Sequence, residues 1–340
     1  MATKSPTPTT VGRAASRAYT RSSSGPVAVC SNTYALPSTY DGEWPILMHL
    51  PPPLKQQVES AIGHEITGSA PVSGGCINNG ARLDTRTGSS FFLKWNEAAS
   101  PEMFEAEANG LEALRRAGAI RAPEPLALGG GDDTSPWLVL EYVGRGEPAS
   151  DYSEQLGVSL AKLHHAEFAL PFGWERDNWI GSLPQANDER SEWGHFWGDL
   201  RIVPQLQLAR SKGFLVHDTM DRLVDVIPDA LADVETGGLL HGDLWSGNAY
   251  ATEAGTPVIV DPAVFRGHGE VDLAMTELFG GFGQRFYEAY NAILPISREY
   301  EAFRRDLYQL YYLLVHLNLF GGSYESSSLA AASSILTALG

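Results

Sequence analysis

The segment His241-Gly242-Asp243-Leu244-Trp245-Ser246-Gly247-Asn248 places an Asp and an Asn five positions apart, and the apolar run Pro257-Val258-Ile259-Val260 that follows it delivers a second acid, Asp261. Phosphoryl transfer from ATP needs such a set. One Asp accepts the proton of the attacking hydroxyl, while an Asn and another Asp hold Mg²⁺ against the phosphates. Asp and Asn also build turns, but H-x-D-x-x-x-x-N followed by a strand and an Asp is far narrower than a Gly-rich loop alone. The expectation is a kinase with Asp243 as base and Asn248 and Asp261 as metal ligands.

Upstream, Ser73-Gly74-Gly75-Cys76-Ile77-Asn78-Asn79-Gly80 is a loop of small residues that precedes the strand Phe91-Phe92-Leu93-Lys94. Glycines let backbone amides approach phosphates closely, which makes Gly74 and Gly75 candidates for cradling ATP. The order fits neither G-x-G-x-x-G nor the Walker pattern, and a plain hairpin could carry the same residues. Lys94, ending an apolar strand after that loop, is placed to reach the α/β-phosphates. Phe104, Leu111 and Leu114 predict a helix from Glu102 to about Ala117, closed by Gly118, with Glu107 on its apolar face. A carboxylate on a buried face needs a partner. Lys94 is the obvious one; the alternative leaves Glu107 at the edge of the face, in water.

Cys76 sits in the glycine loop, where backbone amides and Lys94 make the surroundings electropositive and lower a thiol's pKa. One expectation is that its oxidation suppresses activity through a disulfide to a second subunit, giving a homodimer; the competing reading is a small residue fitted to a tight turn. Trp137 to Val143 reads as an apolar strand running into Gly144 and Gly146, a connector whose backbone around Glu141 and Val143 could bond a purine edge. The next helix carries Leu156, Leu160 and Leu163 and ends in His164-His165, a pair read as packing or capping. Aromatic residues crowd positions 171–210, among them Trp174, Trp193, Phe196 and Trp197, either as the floor of a sugar site or as core. His268-x-Glu270-x-Asp272 suits no zinc motif, and Asp272 is better read as a hydrogen-bonding brace for the catalytic loop.

With 340 residues, 43% hydrophobic and 19% charged, the chain has the composition of a soluble globular protein and the length for about two domains. A net charge of −17 argues against a nucleic-acid partner. No apolar run approaches the ~18 residues a membrane span needs, so no membrane partner is expected. Two cysteines, Cys30 and Cys76, exclude a disulfide scaffold or a cysteine-based zinc site. Residues 1–43 are different material: the first forty carry Lys4, Arg13, Arg17 and Arg21 and no acid, amid Ser, Thr and Ala. That composition reads as a chloroplast or mitochondrial transit peptide, with a disordered tail as the alternative. Residues 44–143 are expected to form a nucleotide-binding N-lobe and 144–340 a C-lobe.

These residues resemble the fructosamine/ketosamine-3-kinase family, a branch of the protein-kinase-like fold that includes aminoglycoside phosphotransferases. The resemblance rests on HGDLWSGN (241–248), VDPAVFRGHGEVDLAM (260–275), LFGGF (278–282) and MFEAEANGLEAL (103–114), with FGWERDNWIGSLPQ (172–185) and PQLQLA (204–209) in support. It implies an α+β, two-lobed kinase-like fold, with a small antiparallel-sheet N-lobe and a mostly helical C-lobe. It implies Asp243 as base, Asn248 and Asp261 on Mg²⁺, and Lys94 with Glu107 on the phosphates of ATP. It also puts Trp245 near the sugar and His316 on the substrate side. The implied reaction is phosphorylation of O3 of a ribulosamine or fructosamine, free or on a glycated protein, after which the 3-phosphate decomposes and frees the amine. Two departures from protein kinases stand out. Gly242 occupies the place where many carry Arg, and Asp261-Pro262-Ala263 replaces the DFG element, both arguing against control by activation-loop phosphorylation. A kinase of another small hydroxyl substrate, such as an amino alcohol or aminoglycoside, and a nucleotide-binding pseudokinase are the alternatives.

Overall fold

The computed structural model describes residues 49–72, 77–131, 134–165, 171–215 and 217–340. Gly74, Gly75 and Cys76, and the segment read as a transit peptide, lie outside the described residues. The chain opens with α1 (Pro52–Ile62), which has proline in its first turn and Gly63 as a left-handed cap at φ 69°. A five-stranded antiparallel sheet follows in the order β1-β2-β3-β5-β4, built from β1 (Ile66–Pro71), β2 (Asn79–Thr85), β3 (Ser90–Trp95), β4 (Pro125–Gly131) and β5 (Thr134–Glu141). Helix α2 (Pro101–Ala117) lies between β3 and β4 in sequence, with Glu102 in its first turn and Arg115 and Arg116 in its last, charges that suit the helix dipole.

Alternation along β5 splits the apolar residues between two cores. Trp137 and Val139 pack with Leu54 and Val58 of α1 and with Leu83 and Leu93 of the sheet. Leu138 and Leu140 point the other way and join Phe104, Leu111 and Leu114 of α2 in the main core. The strand ends at Glu141, two residues short of the apolar run, because Tyr142 and Val143 already belong to the connector.

The rest is mostly helical. Helix α3 (Tyr152–His165) precedes a two-stranded hairpin, β6 (Asn178–Ile180) and β7 (Leu183–Gln185), then α4 (Trp193–Trp197), α5 (Val203–Ser211) and α6 (Asp218–Ala230). Strand β8 (Gly238–Leu240) pairs with β11 (Phe265–Gly267), and β9 (Ala249–Ala251) with β10 (Pro257–Ile259). Helices α7 (Glu270–Leu278), α8 (Gln284–Ile293), α9 (Arg305–Phe320) and α10 (Glu325–Leu339) complete the chain. Trp193, Phe196 and Trp197 are fully buried, with Trp193 stacked on Phe196 at 5.3 Å and on Phe265 at 6.5 Å and bonding the Tyr308 hydroxyl. These aromatics are core, each contributing ~1.5–3 kcal/mol by burial. Among the described residues no helix is long and apolar enough to cross a membrane.

Candidate active site

Strand β8 is buried along its length and delivers the chain directly into the 241–248 loop. Gly242 has φ 81°, and a Cβ there would lie 2.0 Å from the Ala263 carbonyl oxygen. Only glycine fits, which is the steric reason for the missing Arg. The peptide units on either side are clamped by Asp272, at the start of α7: it accepts the His241 N–H at 2.8 Å and the Gly242 N–H at 2.9 Å, and meets His164 Nε2 at 3.0 Å. Burial alone would raise the Asp272 pKa, but its bond to His164, the electrostatic pull of the His164 and His241 rings and the Gly242 N–H bring it below the usual carboxylate range. The Tyr312 hydroxyl, from α9, donates to the Gly242 carbonyl at 2.8 Å. His241 is itself kept neutral by burial, with Nε2 donating to the Val260 carbonyl and Nδ1 accepting the Asp243 N–H.

That frame presents Asp243. Burial, followed by the charges of Asp261 and Asp272, pushes its carboxyl up to about 7. Asn248 Nδ2 donates to the Asp243 backbone carbonyl at 2.9 Å and lies 3.5 Å from its carboxylate, so the Asn248 side-chain oxygen is turned to other partners. The Val260 N–H bonds the Asn248 carbonyl at 3.0 Å, tying the two strands of the β9–β10 hairpin at the mouth of the loop. Asp261 follows at φ 57°, a left-handed conformation that is strained for a residue with a side chain. Its carboxylate lies 2.9 Å from Lys94 Nζ, which also bonds Glu107 at 2.7 Å. Lys94 and Glu107 are nearly dry, whereas the Asp261 side chain is 37% exposed, so this ion triad opens to solvent on the Asp261 side. Burial works against the charged ammonium, but the two carboxylates outweigh it and hold Lys94 protonated.

The connector between the sheet and the helical body runs past the same hairpin. The Tyr250 hydroxyl, from β9, donates to the Val143 carbonyl at 3.0 Å, and the Arg145 guanidinium sits 4.1 Å over the Tyr250 ring. The Glu141 carboxylate is taken up by Arg121 at 2.6 Å and its N–H by the Glu124 carbonyl at 2.8 Å, so neither is left for a nucleotide.

On the far side of Asp243, the Trp245 indole folds over Gly247, where a Cβ would come within 2.3 Å of the ring. His316 in α9 is ringed by Phe279 at 4.8 Å, Tyr324 at 5.3 Å and Phe320 at 5.5 Å. Its Nδ1 bonds the Tyr312 carbonyl and burial lowers its pKa, leaving a neutral ring whose Nε2 is an acceptor. A cavity of about 100 Å³ opens beside the loop, lined by Tyr152, Ser153, Leu156, Ser246, Phe282 and Phe286. Tyr250, Tyr312 and His164 were not singled out by the sequence as site residues. The only signal for the tyrosines is a hydroxyl on an otherwise apolar strand or helix.

The family model described as fructosamine kinase matches residues 52–338. A Synechocystis sp. protein provisionally named a ketoamine kinase is 42% identical over 81% of this chain and 93% of its own length. The chloroplastic protein-ribulosamine 3-kinase of Arabidopsis thaliana is 41% identical over 78% of this chain and 82% of its own. A crystal structure from Thermobifida fusca, provisionally named a fructosamine-3-kinase, superposes with a TM-score of 0.73 at 33% identity, covering 84% of this chain and 98% of that one. The chain belongs to the fructosamine kinase family.

Proposed function

We propose that this protein is an ATP-dependent phosphotransferase acting on O3 of ketosamines such as ribulosamine and fructosamine, either free or carried on a protein amine. The observation that carries the reading is the meeting of Asp243, Asn248 and the Lys94–Glu107–Asp261 triad beside β3, the middle strand of the sheet, in a chain of this family. Lys94, steadied by Glu107, takes the ATP phosphates, exchanging Asp261 for phosphate oxygens. The Asn248 side-chain oxygen and the half-exposed Asp261 carboxylate suit Mg²⁺, which takes few protein ligands and fills its shell from phosphates and water. When bound, that ion neutralises charge building on the phosphates. Asp243 accepts the proton of the acceptor hydroxyl. The oxygen bonds the γ-phosphorus as the link to the β–γ bridging oxygen breaks and ADP leaves. Trp245 offers an indole face to the sugar, and His316 Nε2 an acceptor to the ketoamine. The 3-phosphate then decomposes to release the amine, which is deglycation.

The lobes divide at the connector, 44–143 from 144–340, and the acid-free first forty residues serve as a plastid transit peptide, in keeping with the chloroplastic relative. The test of the mechanism is Asp243→Asn. Turnover should fall by about 10²–10⁴-fold, the worth of a general base, with Mg-ATP affinity by calorimetry nearly unchanged. A variant that keeps most of its turnover removes Asp243 from that role.

A further inference from the structure

The connector that leaves β5 is laid along β9 and the turn after it. The Gly146 N–H bonds the Ala251 carbonyl at 3.0 Å, and the Ala149 N–H bonds the Gly255 carbonyl at 3.1 Å. A Cβ on Gly146 would come 2.6 Å from the Thr252 carbonyl oxygen, so the two backbones touch. The seam also holds a side-chain bond, from the Tyr250 hydroxyl to the Val143 carbonyl at 3.0 Å, between residues 107 apart in sequence. Tyr250 is half-buried, and burial pushes its pKa up to about 12, so it is a hydroxyl donor throughout the working range. Tyr250 also stands two positions after Asn248, so the same short strand holds the connector and follows directly from the catalytic loop.

A connector residue offers a purine one N–H and one C=O. At Val143 the carbonyl is engaged by the phenol, and the group left without that competition is the N–H donor. Adenine answers a donor with its N1 lone pair. Guanine presents N1–H and N2–H₂ there and needs an acceptor. We propose that Tyr250 selects the nucleotide base: by occupying the Val143 carbonyl it makes the connector favour adenine and disfavour guanine. The carbonyl keeps a second lone pair, so the selection is a matter of degree, about tenfold, which is the worth of one neutral hydrogen bond.

This inference rests on the proposed ATP site but not on the acceptor, and binding measured without acceptor separates the two. Calorimetry of the full chain with Mg-ATP and Mg-GTP should give tighter binding of ATP. Tyr250→Phe, which removes one oxygen and keeps the ring under Arg145, should lower the Kd(GTP)/Kd(ATP) ratio about tenfold. A merely structural role would weaken both nucleotides alike and leave the ratio where it was, and that result overturns the proposal. If the variant does not fold, the wild-type protein still decides. Mg-ITP keeps guanine's N1–H and lacks its 2-amino group, so affinity should fall in the order ATP, ITP, GTP. Equal affinities overturn base selection by the connector, even if ATP-dependent ketosamine turnover is found. Turnover failing with ATP on every ketosamine, while the nucleotide order holds, sinks the proposed substrate and leaves base selection standing.

Discussion

Gly242→Ala adds one methyl group at the point where the catalytic loop passes closest to the Asp261 loop. The new Cβ would sit 2.0 Å from the Ala263 carbonyl oxygen, and the residue would have to hold φ 81°. Non-bonded heavy atoms approach to about 3.5 Å, so one backbone must move by roughly 1.5 Å. Neither is free to do so. The Ala263 N–H bonds the His241 carbonyl at 2.9 Å, and Gly242 is held by Asp272 and by the Tyr312 hydroxyl. The left-handed backbone alone costs ~1–2 kcal/mol for a residue with a Cβ. A catalytic group displaced by about 1 Å loses about 10²-fold in rate. Since Asp243 is the next residue and Asp261 lies two before Ala263, both are carried along. Steady-state kinetics should therefore show kcat reduced at least about 100-fold, and thermal unfolding should show a lower Tm. A variant with kcat within threefold of wild type and an unchanged Tm would refute the reasoning.

Asp272→Asn keeps the shape of the brace but turns an amide N–H₂ toward one of three donors, the His241 N–H, the Gly242 N–H or His164 Nε2. Losing charge-assisted bonds at a buried site costs ~3 kcal/mol or more, read as a fall in Tm and in kcat together; a Tm within 1 °C of wild type, as an order of measurement error, would contradict the clamp. The sign of its pH dependence follows from the lowered pKa: Asp272 stabilises the fold above its ordinary value near 3.8, and that stability is lost as pH falls through the lower folded value. The Asn variant should therefore show a shallower acid loss of Tm. Asp243, pushed up to about 7 by burial and two neighbouring acids, must be ionised to work as a base, so kcat/KM should decline as pH drops through about 7 in the free enzyme. A flat profile across that interval would argue against Asp243 as the titrating base.

Much of the site was legible because its chemistry lies within short segments. His241, Asp243 and Asn248 are carried on one loop, and the second acid follows one strand later, so spacing alone draws attention to them. Lys94 and Glu107 could be read because a charge on an apolar strand or helix face asks for a partner, and each face holds one such residue. What the sequence left undecided depends on pairs far apart in the chain. His164 reads as a capping residue until α3 and α7 bring it to Asp272, 108 positions away. Tyr250 reads as one aromatic in a short strand until the connector, 107 positions before it, crosses its hydroxyl. The aromatics of 171–210 carry no periodicity that separates a sugar floor from a core; packing against Phe265 and Tyr308 decides it. Gly242 read only as a missing Arg, since nothing local reveals the carbonyl lying against it.

The central claim, phosphorylation of a ketosamine hydroxyl, is tested most directly by ATP turnover on matched acceptors: a ribulosamine or fructosamine, the same amine without its sugar, an amino alcohol and an aminoglycoside. A site that bonds sugar hydroxyls rejects analogues lacking them by up to ~10⁴ in kcat/KM. The expected result is phosphorylation of the ketosamines at O3, identified by phosphorus NMR, with the unglycated amine inert and Trp245→Ala slowed on the ketosamine at unchanged ATP affinity. A higher kcat/KM for the amino alcohol or the aminoglycoside would contradict it.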